Sequence, residues 1–537
     1  MPNTTLPIPN TSASNSTAPS ATIRVYSTLS KTKEPLQTVH PGKVGIYLCG
    51  PTVYKPSHIG HMVGPVIFDA IKRYLSYCGY QVTWVVNVTD VDDKLIVESR
   101  NRNMPMSQLA AEMTADYMRN LEAMGIDTID HFPKATENID EIIQLTQTLI
   151  DKDFAYASDG DVYFDVGKDH EYGKLSRRTL ETMQGEGGEM VERKRSPADF
   201  ALWKSAKPGE PSWDSPWGKG RPGWHIECSA MSRRLLGETF DFHGGGLDLI
   251  FPHHENEIAQ SECCHGKPQA KYWLHNGLMQ AASEAGKVGG RTTRAADAAP
   301  NAATEQAAKK ISKSTGASPF SELIDRHSPE TIRFFLLSTH YRSPIQYSEE
   351  LLEETATSLE AFYRFFKRYE RIIGQSFYKM GQPAARTGGE FDPGSDPMRK
   401  QIVDIRDRFL EAMDDDFNTG SAIGKLFDLV RLLNKFADAE KLEGTSEPSA
   451  DALATLTQGT KTLREMAVTL GLFRKPVEMK SSGDDSLVAQ LMELLIELRA
   501  LSRKNKDFAT ADRIRKRLAE IGVMLEDRPG GTEWTRG

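Results

Sequence analysis

The sequence predicts an α/β protein: a parallel-sheet domain interrupted by a long insertion, then a helical bundle, then a small C-terminal unit. Three observations predict it. KVGIYLCG (43–50), HIGHMVGPVIFDAIKRYLSYCGY (58–80) and QVTWVVNVTD (81–90) read as strand, helix and strand, the unit from which parallel sheets are assembled. Between 321 and 472 apolar residues recur at helical spacing, as in EELLEETATSLEAFYRFFKRYERIIG and SAIGKLFDLVRLLNKFADAEKL. The polar break EMKSSGDDS then precedes two more helices and a hairpin, VMLED–RPGGT–EWTRG. At 537 residues the chain is also too long for a single hydrophobic core.

Residues 1–22 are rich in Ser, Thr, Asn and Pro and contain no basic residue, so they lack the marks of a secretory or mitochondrial leader and read as a disordered cytoplasmic tail. The first domain spans 23–320, with its first helix ending at Gly79. Residues 99–220 form a mixed insertion, with helices near Ser107–Met124 and Ile139–Lys152 and a short strand DVYFDV. A second sheet-like stretch follows from Trp224 to Leu278, through WHIECSAM, DFHGGGLDLIF and YWLHNGLM. Residues 281–308 hold few large apolar side chains, and an insert of that kind is expected to be a mobile excursion. The bundle covers 321–480 and the C-terminal unit 484–537.

Composition narrows the class. No run of about 18 apolar residues is free of charge, which argues against a membrane-spanning helix. The five cysteines are scattered and odd in number, so they suit a reducing compartment and make no disulfide framework. A net charge of −8 leaves room only for a local basic patch.

Four constellations carry chemistry. PTVYKPSHIGH opens the first helix, where unpaired N–H groups and the positive dipole end suit phosphate. His58 and His61 would share a face there, and Gly60 and Gly64 keep the backbone bare; a capped helix with incidental histidines fits the same pattern. KKISKSTG places Lys310 and Lys313 among serines, a grip for polyphosphate or an ordinary solvated loop. Cys49, Cys228, His253 and Glu257 offer two thiols, an imidazole and a carboxylate, a possible zinc set, although buried cysteines are commonly small hydrophobes. His253 and Glu257, four apart after Pro252, suit one face of a first helical turn, whereas Cys263, Cys264 and His265 crowd too closely to chelate one ion. Last, Arg499, Arg503, Lys504, Lys506, Arg513, Arg515, Lys516 and Arg517 face only Asp507 and Asp512 across that stretch. Such a patch suits an RNA backbone, with Phe508 or Trp534 to stack on bases, or a charged solvated helix face.

Together LCGPTVY, HIGH, NVTDVDDKLI, RPGWHIECSAM, HGGGLDLIFPHHENEIAQSE, KISKS and DDDFNTGSAI resemble the cysteinyl-tRNA synthetase family, from about residue 24 to the C-terminus. The resemblance implies a Rossmann-like class I synthetase catalytic domain with a connective insertion, a helical bundle and an anticodon-binding unit. It implies ATP with Mg²⁺, cysteine and tRNA(Cys) as substrates, and one Zn²⁺ on Cys49, Cys228, His253 and Glu257 to hold the substrate thiolate. Such an ion would prefer sulfur to the serine hydroxyl far more strongly than an apolar pocket could. By the same likeness His58, Gly60, His61, Asp248, Lys310 and Lys313 meet ATP, and Thr89 and Trp224 line the cysteine pocket, with His225 beside it. Arg503, Asp512 and Asp527 meet the anticodon, and a cytoplasmic monomer is expected. Three features depart from the family: KISKS replaces the usual KMSKS, the connection before it is longer, and the N-terminal tail is extended. A ligase joining cysteine to an amino-sugar thiol precursor shares the core without the C-terminal unit, and a non-catalytic tRNA-binding paralogue would not need the intact motifs.

Overall fold

The structure is a computed structural model and describes residues 22–179, 193–281, 318–444, 447–476, 485–528 and 531–536. Most of the 1–22 tail, nearly all of the 281–308 insert, and Lys310 and Lys313 lie outside these described residues. The chain divides into two compact units, Met1–Phe436 with Ala454–Arg474, and Ala437–Leu453 with Lys475–Gly537.

In the first unit a short hairpin, β1 (Arg24–Ser27) and β2 (Thr32–Pro35), leads into the central strand β3 (Lys43–Leu48). Helix α1 (Gly60–Tyr77) connects it to β4 (Gln81–Val86), paired in parallel so that Ile46 lies opposite Trp84. Gly79 follows the helix at φ 98°, a left-handed stop that glycine adopts without strain. The insertion comes next: α2 (Asp93–Asn101), α3 (Met106–Ala123), α4 (Ile139–Asp151), then an antiparallel sheet of β5 (Ala155–Ser158), β6 (Asp161–Phe164), β7 (Phe200–Ser205) and β8 (Gly220–Pro222) in that order. The chain returns through α5 (Trp224–Leu236), β9 (Phe240–Gly246), α6 (Glu255–His265) and β10 (Ala270–Asn276). The main sheet runs β10-β9-β3-β4, all parallel and covered on both faces, so its strands read as nearly continuous apolar runs.

Three expectations need correction. WHIECSAM is helix, not sheet: residues 225–232 are buried on every side, which erases the one-sided apolar stripe that marks a helix. DFHGGG and YWLHN do not build a second sheet but complete the first, because strand partnership across a long insertion leaves no local signature. The sheet that is separate lies inside the insertion, where only one of its four strands was expected.

Among the described residues beyond β11 (Met279–Ala281), the first unit continues mainly as helices: α7 (Phe320–Arg326), α8 (Pro329–Leu337), α9 (Glu349–Ile373), α10 (Pro397–Asp414), α11 (Thr419–Ala439) and α12 (Ala450–Thr469). Strand β12 (Ile345–Tyr347) interrupts them to pair with β11. Asp69, fully buried on α1, accepts from Arg73 Nε (2.8 Å), Thr128 Oγ1 (2.6 Å) and Arg333 of α8, so the first bundle helices are fixed to the helix that begins with the histidine pair. The second unit holds α13 (Asp485–Lys504), α14 (Phe508–Glu520) and the hairpin β13 (Val523–Arg528) and β14 (Gly531–Arg536), closed over Met492, Leu518, Val523 and Leu525.

Candidate cysteine and metal site

The sheet's carboxyl edge gathers residues from four distant segments. Cys49 follows β3 and donates its amide to Gly244 O (3.1 Å), tying the end of β3 to β9. Gly50 presses so close to β4 that a Cβ there would fall 1.7 Å from Asn87 O, which explains glycine at this position. Cys228 lies in the second turn of α5, His253 in the tight turn Ile250–His254, and Glu257 in the first turn of α6.

These four offer ligand atoms all within 4.8 Å of one another. Cys49 Sγ and Cys228 Sγ are 3.8 Å apart, Cys49 Sγ and Glu257 Oε1 3.5 Å, and His253 Nε2 and Glu257 Oε1 3.1 Å. The edge of a tetrahedron is about 1.6 times its centre-to-corner length, so Zn–S bonds of about 2.3 Å require sulfurs about 3.8 Å apart, and the N/O edges about 3.4 Å. The donor set therefore has the spacing and chemistry of a tetrahedral zinc site.

Neighbouring groups orient it. His225 Nδ1 lies 2.9 Å from His253 Nδ1, which leaves His253 Nε2 for the centre. His243 Nε2 lies 2.8 Å from Glu257 Oε2 and holds that carboxylate, while the His243 ring stacks on Trp273 at 4.3 Å. A second donor set, Cys49, His243, His254 and Glu257, shares two of these residues but omits the nearer thiol of Cys228. Burial alone would raise the Glu257 carboxyl, yet His243 and His253 hold it below its ordinary range. Burial, reinforced by Cys228 and Glu257, pushes the Cys49 thiol well up; Cys228, receiving a hydrogen bond from Cys49, falls to about 6.

The remaining expected residues divide into groups. Trp224 stacks on His253 at 4.3 Å and is 37% exposed, an aromatic wall beside the donor set. Thr89 is buried and receives Asn87 Nδ2 (3.3 Å), and Glu227, whose carboxyl burial pushes well up, is buried beside Cys228. His58 and His61 stack at 3.9 Å at the start of α1, and Gly60 N donates to His58 Nδ1 (3.1 Å). Asp248 is exposed in the turn Leu247–Leu249, directly after the glycines that end β9. Gly244 lets α1 approach, since a Cβ there would meet the Phe68 ring at 2.1 Å. A cavity of about 550 Å³ shares Trp224 and His225 with this site and is lined also by Lys194, Lys204, Arg221 and Phe251.

In the second unit Arg503 and Asp527 are paired (3.0 Å). Asp527 also takes both Arg499 terminal nitrogens (2.5 and 2.6 Å) and Thr532 Oγ1 (2.8 Å), which hold it well below the usual carboxylate range. Asp512 and Phe508 are exposed, whereas Trp534 packs into the small core. Sequence reasoning overlooked Glu227, His243 and His254. The available signal was a histidine inside an otherwise apolar strand, DFHGGG, and a glutamate beside a candidate ligand.

The chain matches known proteins over nearly its whole length. The family model "tRNA synthetases class I (C) catalytic domain" matches residues 35–288 and 301–357, "DALR domain" matches 408–474, and "Cysteinyl-tRNA ligase anticodon binding domain" matches 489–534. A Cysteine--tRNA ligase of Geobacter metallireducens is 44% identical over 521 residues, covering 95% of this chain and 99% of the relative. One from Heliobacterium modesticaldum is 43% identical, covering 96% and 99%. A Mycobacterium tuberculosis methionyl-tRNA synthetase bound by methionyl-adenylate shares the fold at 15% identity and TM-score 0.54, over 80% of this chain and 89% of that one. From the match over nearly its whole length, the chain belongs to the cysteine–tRNA ligase family of class I aminoacyl-tRNA synthetases.

Proposed function

We propose that the protein activates L-cysteine with ATP and transfers it to the 3′ end of tRNA(Cys), choosing its amino acid at the site formed by Cys49, Cys228, His253 and Glu257. The observation that carries this reading is the 3.8 Å separation of the two sulfurs beside the Trp224 wall. A zinc ion bound there supplies the preference for a thiolate over a hydroxyl. Trp224 closes one side of the amino-acid pocket and Thr89 lies on another. His58, Gly60 and His61 at the helix start, Asp248, and Lys310 with Lys313 hold ATP and its Mg²⁺. The cysteine carboxylate attacks the α-phosphorus and pyrophosphate leaves; a terminal ribose hydroxyl then attacks the adenylate carbonyl and AMP leaves. No protein nucleophile is required, so rate comes from positioning and electrostatics.

Residues 484–537 read the anticodon through Arg503, Asp512 and Asp527, and the division 23–320, 321–480 and 484–537 describes the working parts. The match of 489–534 to an anticodon-binding domain favours tRNA over an amino-sugar acceptor. A cytoplasmic monomer completes the proposal. Its test is Cys228→Ser, assayed for metal and for substrate choice. The parent should hold about one zinc per chain, and the variant should lose both the ion and the preference for cysteine over serine. Retention of both would overturn the proposal.

A further inference from the structure

The corner at 415–418, between α10 and α11, takes a backbone shape that its residue types do not favour. Asp416 and Phe417 stand at φ 64° and 52°, a left-handed pair that bulky side chains adopt only where their surroundings impose it. Both are buried, and the Asp416 carboxylate shows what the shape achieves. Its Oδ1 accepts from Tyr26 N of β1 and from the Tyr341 hydroxyl, each at 2.9 Å, and its Oδ2 accepts from Arg342 Nε at 2.8 Å. The Arg342 guanidinium also lies over the Tyr26 ring, 4.3 Å from its centre. The adjoining residues serve other elements. Asp414 meets Arg386 (2.9 Å), Asp415 meets Lys33 (2.8 Å), and the Phe417 ring lies edge-on to Tyr74 and Phe242.

The residues that Asp416 holds lie against the end of β10. Tyr341 O accepts from Gly277 N (2.8 Å), and Ile345 N donates to Leu278 O (3.0 Å) where β12 pairs with β11. The two backbones are so close that a Cβ on Gly277 would fall 2.0 Å from Ser343 O. The same strand end also touches the elements proposed for ATP. A Cβ on Gly64 of α1 would lie 3.7 Å from Asn276 Oδ1, and one on Gly246, two residues before Asp248, 3.4 Å from Leu278 Cδ2. Residues 276–278 therefore reach from the first turns of α1 to the glycine before Asp248, with Tyr341–Ser343 pressed against them.

We propose that Asp416 is a positioning residue for ATP: by fixing Tyr341 and Arg342 it seats 341–345 against Gly277 and holds Asn276 and Leu278 at the nucleotide. The inference rests on the reading above that puts ATP at the start of α1 and at Asp248. Cysteine recognition is then the internal control.

The test is Asp416→Asn in the full chain. An amide offers one acceptor oxygen and an NH₂ donor, so either orientation sets a donor against Arg342 Nε or against Tyr26 N. Cysteine-dependent ATP–pyrophosphate exchange gives kcat and the KM for ATP and for cysteine, and zinc content is measured alongside. The expected result is a KM for ATP raised on the order of 10-fold, with the KM for cysteine within about two-fold of the parent and zinc unchanged. Gly277→Ala, which drives a Cβ into Ser343 O, should produce the same selective loss. A fall in kcat alone, the mark of a smaller folded fraction, or an equal rise in both KM values would make Asp416 merely structural and overturn the proposal. Should Asp416→Asn not fold, Tyr341→Phe decides. It removes one hydroxyl from the contact and should raise the KM for ATP about two- to five-fold, and an unchanged value overturns the proposal. Asp248→Ala separates the inference from the reading beneath it. If it leaves the KM for ATP unmoved, the placement of ATP fails and Asp416 with it. If Asp248→Ala raises that constant and Asp416→Asn does not, the inference alone fails.

Discussion

Replacing Asp527 by Ala should loosen the second unit itself, beyond any effect on RNA. Asp527 in β13 clamps Arg499 of α13 through two bonds of 2.5 and 2.6 Å, with Arg503 at 3.0 Å and Thr532 at 2.8 Å. The Arg499 side chain is 5% exposed and Asp527 37%. Leaving a buried guanidinium unpaired costs about 3–5 kcal/mol, and the solvent that reaches Asp527 reduces this to about 2–3 kcal/mol. A loss of that size raises the open population about 30- to 150-fold. Hydrogen exchange on the full chain should therefore speed up by that factor at amides of Asp485–Lys504 and the β13–β14 hairpin, while amides of β3 and β9 keep their rates. The charging defect at limiting tRNA would then combine this loosening with the lost anticodon contact. If exchange in the second unit is unchanged and only the tRNA KM rises, Asp527 acts through its RNA contact alone and the clamp argument is wrong.

Two further predictions concern the first unit. Lys313→Ala should slow pyrophosphate exchange by orders of magnitude and leave tRNA binding near the parent value; near-normal exchange would remove the KISKS assignment. Asp69→Asn should destabilise the first unit by about 3–5 kcal/mol near neutral pH, because Arg73 and Arg333 lose their shared buried carboxylate. Burial works to raise the Asp69 carboxyl, but the two guanidiniums bring it below its ordinary value, so its contribution is present above the unfolded carboxylate range and is lost as pH falls through the folded value. Thermal unfolding of parent and variant should accordingly converge in acid; a gap that stays constant from neutral pH into acid would rule out the ion-pair explanation.

What the sequence revealed depended on whether the information was local. The helix from Gly60 and its stop at Gly79 were legible because an amphipathic pattern and a glycine lie in one stretch. Helices near 107–124 and 139–152 were legible for the same reason and appear as Met106–Ala123 and Ile139–Asp151. Helix α5 was not, since a helix buried on all sides has no polar face to set its period. The residue types of the proposed donor set were legible; the neighbours that orient them were not. His243 reaches Glu257 only because β9 pairs with β3, and nothing within DFHGGG records which strand will lie beside it.

That same topology accounts for how selectivity can be built from residues so far apart. Parallel strands bring their carboxyl ends to one edge, and the open crevice outside that edge is where α/β sheets bind ligands. Cys49 leaves β3 there, Thr89 follows β4, and the glycines ending β9 deliver Asp248 and the turn carrying His253. The insertion between β4 and α5 lengthens the chain without moving these ends, because α5 is packed in the insertion's core through Ile226 and Ala230 while its neighbouring turn presents Glu227 and Cys228. One helix therefore carries Cys228 of the proposed donor set and Trp224 of the proposed pocket wall. A change of packing at Ile226 should therefore reach the donor set and the Trp224 wall together.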